Sequence, residues 1–185
     1  IYIEMSSPEP PVTDGSAKVF CQLLEEAGLE AQDAERKVYA LDKTFSVYDG
    51  DRYILIGPYD GYRISFTSIN PHPLLGTQYF DILLDKESFK KEIMAARTVA
   101  FTHELEMLRK LGLGLGGSLE NCVVFDTDKV LSVQRFDDEL IRHKILDCIG
   151  DLYLLGPIKA HVVAVKTGHA FNANLAKQIQ AYRNN

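Results

Sequence analysis

The segment RFDDELIRHKILDCIGDLYLLG, residues 135–156, constrains the fold more than any other part of the sequence. Its apolar residues recur at intervals of three and four, which predicts an α-helix with one buried face. That face consists of Leu140, Ile141, Ile145, Cys148, Ile149 and Leu152. Asp137 or Asp138 can cap the start of the helix. Because such a helix has to bury its apolar face, the chain must supply another layer to cover it.

The covering layer is predicted upstream of this helix. β-Branched and aromatic runs at 37–42, 44–48, 52–58 and 62–69 are separated by Asp-Gly pairs, which are typical of hairpin turns. We therefore expect an antiparallel meander. Further strands are predicted in IYIEM, TQYFDILLD, NCVVFD, KVLS and HVVAVKT.

Four more segments are predicted to be helical. They are AKVFCQLLEEAG, KESFKKEIMAAR, residues 97–111, and a last helix from about Ala170 to Tyr182. Residues 29–36 are either a linker or the last turn of the first helix. The order of elements predicts an α+β fold, a two-layer sandwich of a mainly antiparallel sheet packed against helices, with a small βαβ-like insert at about 100–127.

Charge and composition exclude several classes of protein. The chain has 185 residues, with 20 Lys and Arg against 26 Asp and Glu, and shows no basic stripe for nucleic acid. No apolar run approaches the roughly 20 residues needed to cross a bilayer, and no targeting segment is visible. Cys21, Cys122 and Cys148 are widely spaced, so we expect reduced core residues and a cytoplasmic protein.

His143 and Asp147 are four residues apart on the predicted helix and project from the same side of it. An imidazole nitrogen and a carboxylate oxygen at that separation can share one zinc ion. Asp151 lies one further turn along the same side of the helix, so His143, Asp147 and Asp151 form one polar track. The pair is either part of a metal site or a surface ion pair, and the whole track is either a site or a solvated face.

His169 follows the predicted strand HVVAVKT directly, in the segment KTGH. An imidazole at the end of a strand is well placed to act as a general acid or base. Asp151 can hold the His169 ring in one orientation, because a carboxylate partner fixes the tautomer. The alternative is a residue at the start of the last helix with no chemical role.

Other motifs in the chain do not predict chemistry. LGLGLGGS, at 111–118, follows a helical pattern, so it predicts a tight turn and not a dinucleotide loop. His103-Glu104 is followed by Met107 where a zinc-protease motif needs a second histidine. For His72 and His161 we expect a structural role and not a catalytic one.

Five segments, in family order and spread over almost the whole chain, resemble the UDP-3-O-acyl-N-acetylglucosamine deacetylases of bacterial lipid A biosynthesis. They are PEPPVTDGSAKVF, AARTVAF, GLGLGGSLENCVVFD, RFDDELIRHKILDCIGDLYLLG and KTGHAFNANL. The resemblance implies two similar α+β domains with the active site between them. Residues 1–30 would then end the first domain, 31–36 would form a linker, and 37–185 would form the complete second domain.

The resemblance also implies catalytic roles. His143 and Asp147 match two zinc ligands of the family, and His169 matches its general acid. Asp151 matches the aspartate that orients or charge-stabilises that acid. The implied reaction is zinc-dependent hydrolysis of the N-acetyl amide of UDP-3-O-(3-hydroxyacyl)-N-acetylglucosamine, which releases acetate.

Substrate contacts are implied in the same way. Lys144 and Lys166 match lysines that face the sugar or diphosphate, and Thr98 matches a threonine near the scissile amide. Residues 101–124 match an insert that forms an apolar passage for the acyl chain. Its candidate lining residues are Phe101, Leu105, Ser118, Cys122 and Val124.

The sequence departs from the family in two places. The loop SINPHP has Asn70 and Pro71 where the family places an aromatic residue against uridine. The chain also contains no Glu-His dipeptide, which in the family supplies the general base and third zinc ligand from the first domain. We therefore expect a C-terminal portion, nearly inactive without the missing N-terminal domain. The alternatives are a binding or interaction module that keeps the fold, and an accidental His-x-x-x-Asp spacing.

Overall fold

The computed structural model describes residues 1–184. The helices are α1 (Lys18–Ala27), α2 (Lys86–Ser88), α3 (Thr102–Lys110), α4 (Glu139–Leu152) and α5 (His169–Arg183), with a π-helical segment at Phe89–Ile93 and a 3₁₀ turn at Tyr153–Leu155. The strands are β1 (Tyr39–Ala40), β2 (Phe45–Asp49), β3 (Arg52–Gly57), β4 (Tyr62–Ile69), β5 (Thr77–Leu83), β6 (Val99–Phe101), β7 (Val123–Phe125) and β8 (Ile158–Val165). Within this described part of the chain, no helix is long and apolar enough to cross a membrane.

The main sheet is mixed but mostly antiparallel, with β8 at its centre. Its order is β2-β3-β8-β4-β5, and β1 also pairs with β8. Strand β8 runs antiparallel to β3 and parallel to β4 and β1. The predicted α+β class is confirmed, but the meander is wrong because β8 lies between β3 and β4. Strand β8 is rich in apolar residues and every second residue along it is buried, and such a strand is suited to the centre of a sheet.

Helices α4 and α5 cover one face of this sheet and close the main core. The apolar face of α4 is buried as predicted, with Ile149 only partly covered. From α5, the core receives Phe171, Leu175, Ala176 and Ile179. The two-layer arrangement leaves the opposite side of α4 free to carry polar side chains.

The predicted insert is a compact βαβ unit. Strands β6 and β7 pair in parallel, with Val99 opposite Val123 and Phe101 opposite Phe125, and α3 connects them. The helix predicted over 97–111 is therefore wrong at its start, because residues 99–101 pair as a strand. A second core cluster lies beneath the unit and contains Leu75, Val123, Phe125 and Leu140.

Other local predictions are also corrected. Residues 1–5 are exposed and pair with no strand in the described chain, so the strand predicted for IYIEM is not formed. KESFKKEIMAAR begins with a short helix and continues as a π-helical segment. The carboxylate of Asp138 does not cap α4, because it pairs with Arg142. KVLS contributes only a bridge from Val130 to Phe125.

The loop around Gly15 is held tightly against the insert. Gly15 has φ +77, and a Cβ built on it would lie 1.8 Å from the Asn121 carbonyl oxygen. Its own carbonyl accepts a hydrogen bond from the Thr98 N–H at 3.2 Å. The loop therefore has no room for a side chain at this position.

We expect Gly15→Ala to lower the free energy of unfolding by about 1–3 kcal/mol more than the same substitution at an uncrowded glycine of positive φ, because overpacking adds to the conformational cost. Gly50→Ala is the matched control, because Gly50 also has positive φ but open space around it. The control is expected to lose only about 1 kcal/mol, the conformational cost alone. Urea unfolding of both variants measures the difference, and equal losses would contradict the close approach.

Candidate active site

Three polar side chains follow one side of α4, as the sequence predicts. His143, Asp147 and Asp151 are half-buried along this track, while the opposite side of the helix is buried in the core. Their spacing of four residues places them one turn apart. The start of α5 brings His169 to the same track, so four predicted residues meet there.

His143 is fixed by a backbone carbonyl. Its Nδ1 lies 3.0 Å from the Ala96 carbonyl oxygen, which can only accept, so Nδ1 carries the proton and donates. In the neutral ring, Nε2 then presents a lone pair. This atom lies 3.3 Å from Asp147 Oδ1. The arrangement brings an imidazole nitrogen and a carboxylate oxygen together as potential ligands.

His169 is fixed by Asp151 at the other end of the track. Its Nδ1 lies 2.8 Å from Asp151 Oδ2, and the Asn172 amide donates to the same oxygen at 2.9 Å. The hydrogen bond to Asp151 and the charges of Asp147 and Asp151 raise the pKa of His169 above its usual value, although partial burial opposes them. Nε2 lies 3.9 Å from Asp147 Oδ2, and the side chain is 73% exposed.

The pair on α4 fits zinc in both chemistry and spacing. Tetrahedral zinc holds nitrogen and oxygen ligands at about 2.0–2.1 Å, which places two of them about 3.3–3.4 Å apart. The His143–Asp147 separation of 3.3 Å matches this value. Among residues 1–184, no group of three or more His, Cys, Asp or Glu side chains is placed to hold a metal. The described chain therefore offers a pair of ligands.

The three predicted polar substrate-binding residues lie on different elements: Lys144 on α4, Lys166 directly after β8 and Thr98 directly before β6. Lys144 is half-buried on α4 and close enough to His169 to oppose the rise in its pKa. Lys166 has the rare backbone angle φ +55 and pairs with Asp51. The backbone of Thr98 is held between Gly15 and Val123, two residues beyond the carbonyl that binds His143.

The residues predicted to line an acyl passage all lie in the βαβ insert or its connecting loop. Cys122 and Val124 are buried, Phe101 and Leu105 are half-buried, and Ser118 is exposed. The Phe101 ring packs against the rings of His72 and Phe125. The passage stays a prediction.

The sequence argument missed three residues that organise this region. Glu139 and Arg97 form a buried ion pair beside the carbonyl that holds His143, and Asn172 donates to Asp151. The helical spacing of the sequence could have pointed to two of these residues. Glu139 precedes His143 by one helical turn, and Asn172 follows His169 by three residues. Arg97 gives no such signal, because it reaches Glu139 across 42 residues.

The fold and this cluster define an α+β protein in which two histidines and two carboxylates lie together on one side of a helix, an arrangement suited to acid–base chemistry. A model of the family "LpxC: UDP-3-O-acyl N-acetylglycosamine deacetylase" matches residues 1–181. The chain belongs to this family.

Three curated relatives, each named UDP-3-O-acyl-N-acetylglucosamine deacetylase, illustrate the similarity. The protein from Syntrophotalea carbinolica is 44% identical over 98% of this chain, and that from Anaeromyxobacter dehalogenans is 41% identical over 97%. The protein from Acidithiobacillus ferrooxidans is 40% identical over 96% of the chain. The matched regions cover 60%, 59% and 60% of these relatives respectively, so the chain spans about three fifths of their length.

Proposed function

We propose that the intact protein hydrolyses the N-acetyl amide of a UDP-3-O-acyl-N-acetylglucosamine and releases acetate, in lipid A biosynthesis. The observation that carries the proposal is the meeting of His169 with the His143–Asp147 pair around one carboxylate, Asp147. In this proposal, His143 acts as a metal ligand and His169 acts as an acid. Family membership supplies the substrate class, through the shared name of the relatives.

His143 and Asp147 are the residues that would hold zinc in this protein. When bound, zinc acts as a Lewis acid toward the amide carbonyl and activates the attacking water. A catalytic site needs three protein ligands and a base. We propose that the third ligand and the base come from the predicted first domain, which would lie in the part of the relatives' length that this chain does not span.

His169 is proposed to supply the proton that the leaving amine needs. Hydrolysis adds water across the C–N bond, so the acetyl carbon gains the hydroxyl and the sugar nitrogen gains a proton. Nδ1 of His169 is held by Asp151, which leaves Nε2 to donate. The raised pKa of His169 keeps more of the ring protonated at neutral pH. Asp151 stabilises the positive charge of the ring.

The remaining predicted residues are proposed to bind the substrate. Lys144 and Lys166 would contact the sugar or diphosphate, and Thr98 would contact the scissile amide. The acyl chain would lie along the βαβ insert. Acetate release from UDP-3-O-(3-hydroxyacyl)-N-acetylglucosamine by the intact protein tests this function. Binding of the substrate without acetate release would favour a binding module that keeps the fold.

Asp151→Asn is expected to lower kcat by about 10–100-fold with little change in KM, as is typical when the partner of a catalytic group is removed. The amide keeps the size of the side chain but loses the charge that stabilises the protonated His169. Asp60→Asn is the control, because Asp60 is an exposed carboxylate that pairs with Lys159. Steady-state kinetics measure both variants, and unchanged kcat in Asp151→Asn would contradict the role of Asp151.

A further inference from the structure

The peptide group between Ala96 and Arg97 lies between two side chains of α4. Its carbonyl oxygen accepts a hydrogen bond from His143 Nδ1 at 3.0 Å. Its N–H donates to Glu139 Oε1 at 2.9 Å. Glu139 and His143 are one helical turn apart, so both face the same peptide. Because a peptide group is planar, a hydrogen bond that fixes its N–H also fixes the direction of its carbonyl.

Glu139 is held in place by a complete set of donors. Its side chain is fully buried and accepts hydrogen bonds from the Arg97 N–H, from Arg97 Nε and Nη2, and from the Arg135 N–H. The Arg97 guanidinium also donates to the carbonyls of Glu120 and Val133. A buried carboxylate needs such donors, so this network leaves Glu139 one position.

We propose that Glu139 is a positioning residue for the metal ligand His143 and acts through the Ala96–Arg97 peptide. The inference rests on the proposed function, because it concerns the ligand that would hold zinc. With the N–H of the peptide bound to Glu139, only its carbonyl faces the imidazole. His143 must therefore donate from Nδ1, which leaves the Nε2 lone pair directed at Asp147 and available to a metal.

Without Glu139 the peptide loses the acceptor that fixes its orientation. A rotated peptide would withdraw the carbonyl from His143 Nδ1, and the proton of the ring could then move to Nε2. That tautomer cannot bind a metal through Nε2. The expected consequence is weaker zinc binding, even where the fold is retained.

The double variant Arg97→Met/Glu139→Leu tests this in the intact protein. It replaces the buried ion pair by apolar side chains, a change that folded proteins often tolerate. Arg97→Met/Glu139→Gln is the matched control, because it also removes both buried charges but keeps a side-chain oxygen that can accept the hydrogen bond from the peptide N–H. The readouts are the ring ¹⁵N chemical shifts of His143 in metal-free protein and the dissociation constant of zinc.

We expect Arg97→Met/Glu139→Leu to lose the uniform Nδ1–H tautomer and to bind zinc about 10–100-fold more weakly, the usual cost of removing support from a ligand. Arg97→Met/Glu139→Gln is expected to keep the tautomer and most of the affinity. Wild-type tautomer and affinity in Arg97→Met/Glu139→Leu would overturn the inference, as would equal losses in both variants. Zinc binding that survives His143→Ala would instead contradict the proposed function, so the two failures are distinguishable.

Discussion

Replacing His169 by alanine in the intact protein is expected to lower kcat by about 10²–10⁴-fold, the usual contribution of general acid–base catalysis. The effect follows from the position of the ring. Its Nδ1 is bound to Asp151, and its Nε2 lies 3.9 Å from the proposed ligand Asp147. Without the imidazole, nothing at this position donates a proton to the leaving amine.

The fold is expected to survive this change, because the His169 side chain is 73% exposed. Circular dichroism and unfolding curves of His169→Ala check that point before the kinetics are compared. His161→Asn is the control. His161 lies in the sheet beside Ser65 and not on the α4 track. A kcat within a few-fold of wild type for His169→Ala would remove it from the mechanism.

Glu139→Ala is expected to lower the free energy of unfolding by about 3–5 kcal/mol. The substitution leaves the Arg97 guanidinium buried without its carboxylate, since the two side chains are 5% and 0% exposed. It also removes the acceptor for the backbone N–H groups of Arg97 and Arg135. Asp60→Asn, at the exposed pair with Lys159, is expected to leave the stability almost unchanged, because water screens the pair.

The stability that Glu139 contributes is expected to depend on pH. Burial alone would raise the pKa of Glu139, but hydrogen bonds from Arg97 and from the Arg135 and Arg97 backbone outweigh it, and the pKa is lowered. A carboxyl with a lowered folded-state pKa stabilises the protein above its unfolded pKa of about 4.3, and this stabilisation is lost as the pH falls through the folded value.

The stability gap between wild type and Glu139→Gln should therefore narrow as the pH is lowered from 7 toward and below 4. Urea unfolding at several pH values measures this gap. Arg97→Met provides a second comparison, because it removes the guanidinium whose hydrogen bond and charge lower the pKa of Glu139. A gap that stays constant over the whole range would contradict the ionised Glu139–Arg97 pair.

The sequence predicted the local elements better than their arrangement. Helical periodicity identified α4 and its buried face, and Asp-Gly turns marked the ends of β3 and the start of β4. The position of β8 between those two strands was missed, because a strand that pairs across about a hundred residues leaves no trace in local periodicity. The meander was the arrangement that local signals favour.

The candidate site was likewise predicted where local spacing decides and missed where distant segments meet. His143, Asp147 and Asp151 were predicted together because helical spacing alone places them on one track. His169 was added from its position after a strand, and the structure brings it to Asp151. The link from Glu139 through the Ala96–Arg97 peptide was missed, because it depends on the fold of a distant loop against α4.

The most direct test of the account is the zinc content of the intact protein at equilibrium, measured for wild type and for variants of α4. We expect one tightly bound zinc per chain in the wild type, a loss of that zinc in His143→Ala and Asp147→Ala, and full retention in His161→Asn. Zinc retained at wild-type stoichiometry and affinity by both α4 variants would contradict the claim that this helix carries two of the three protein ligands of the metal site.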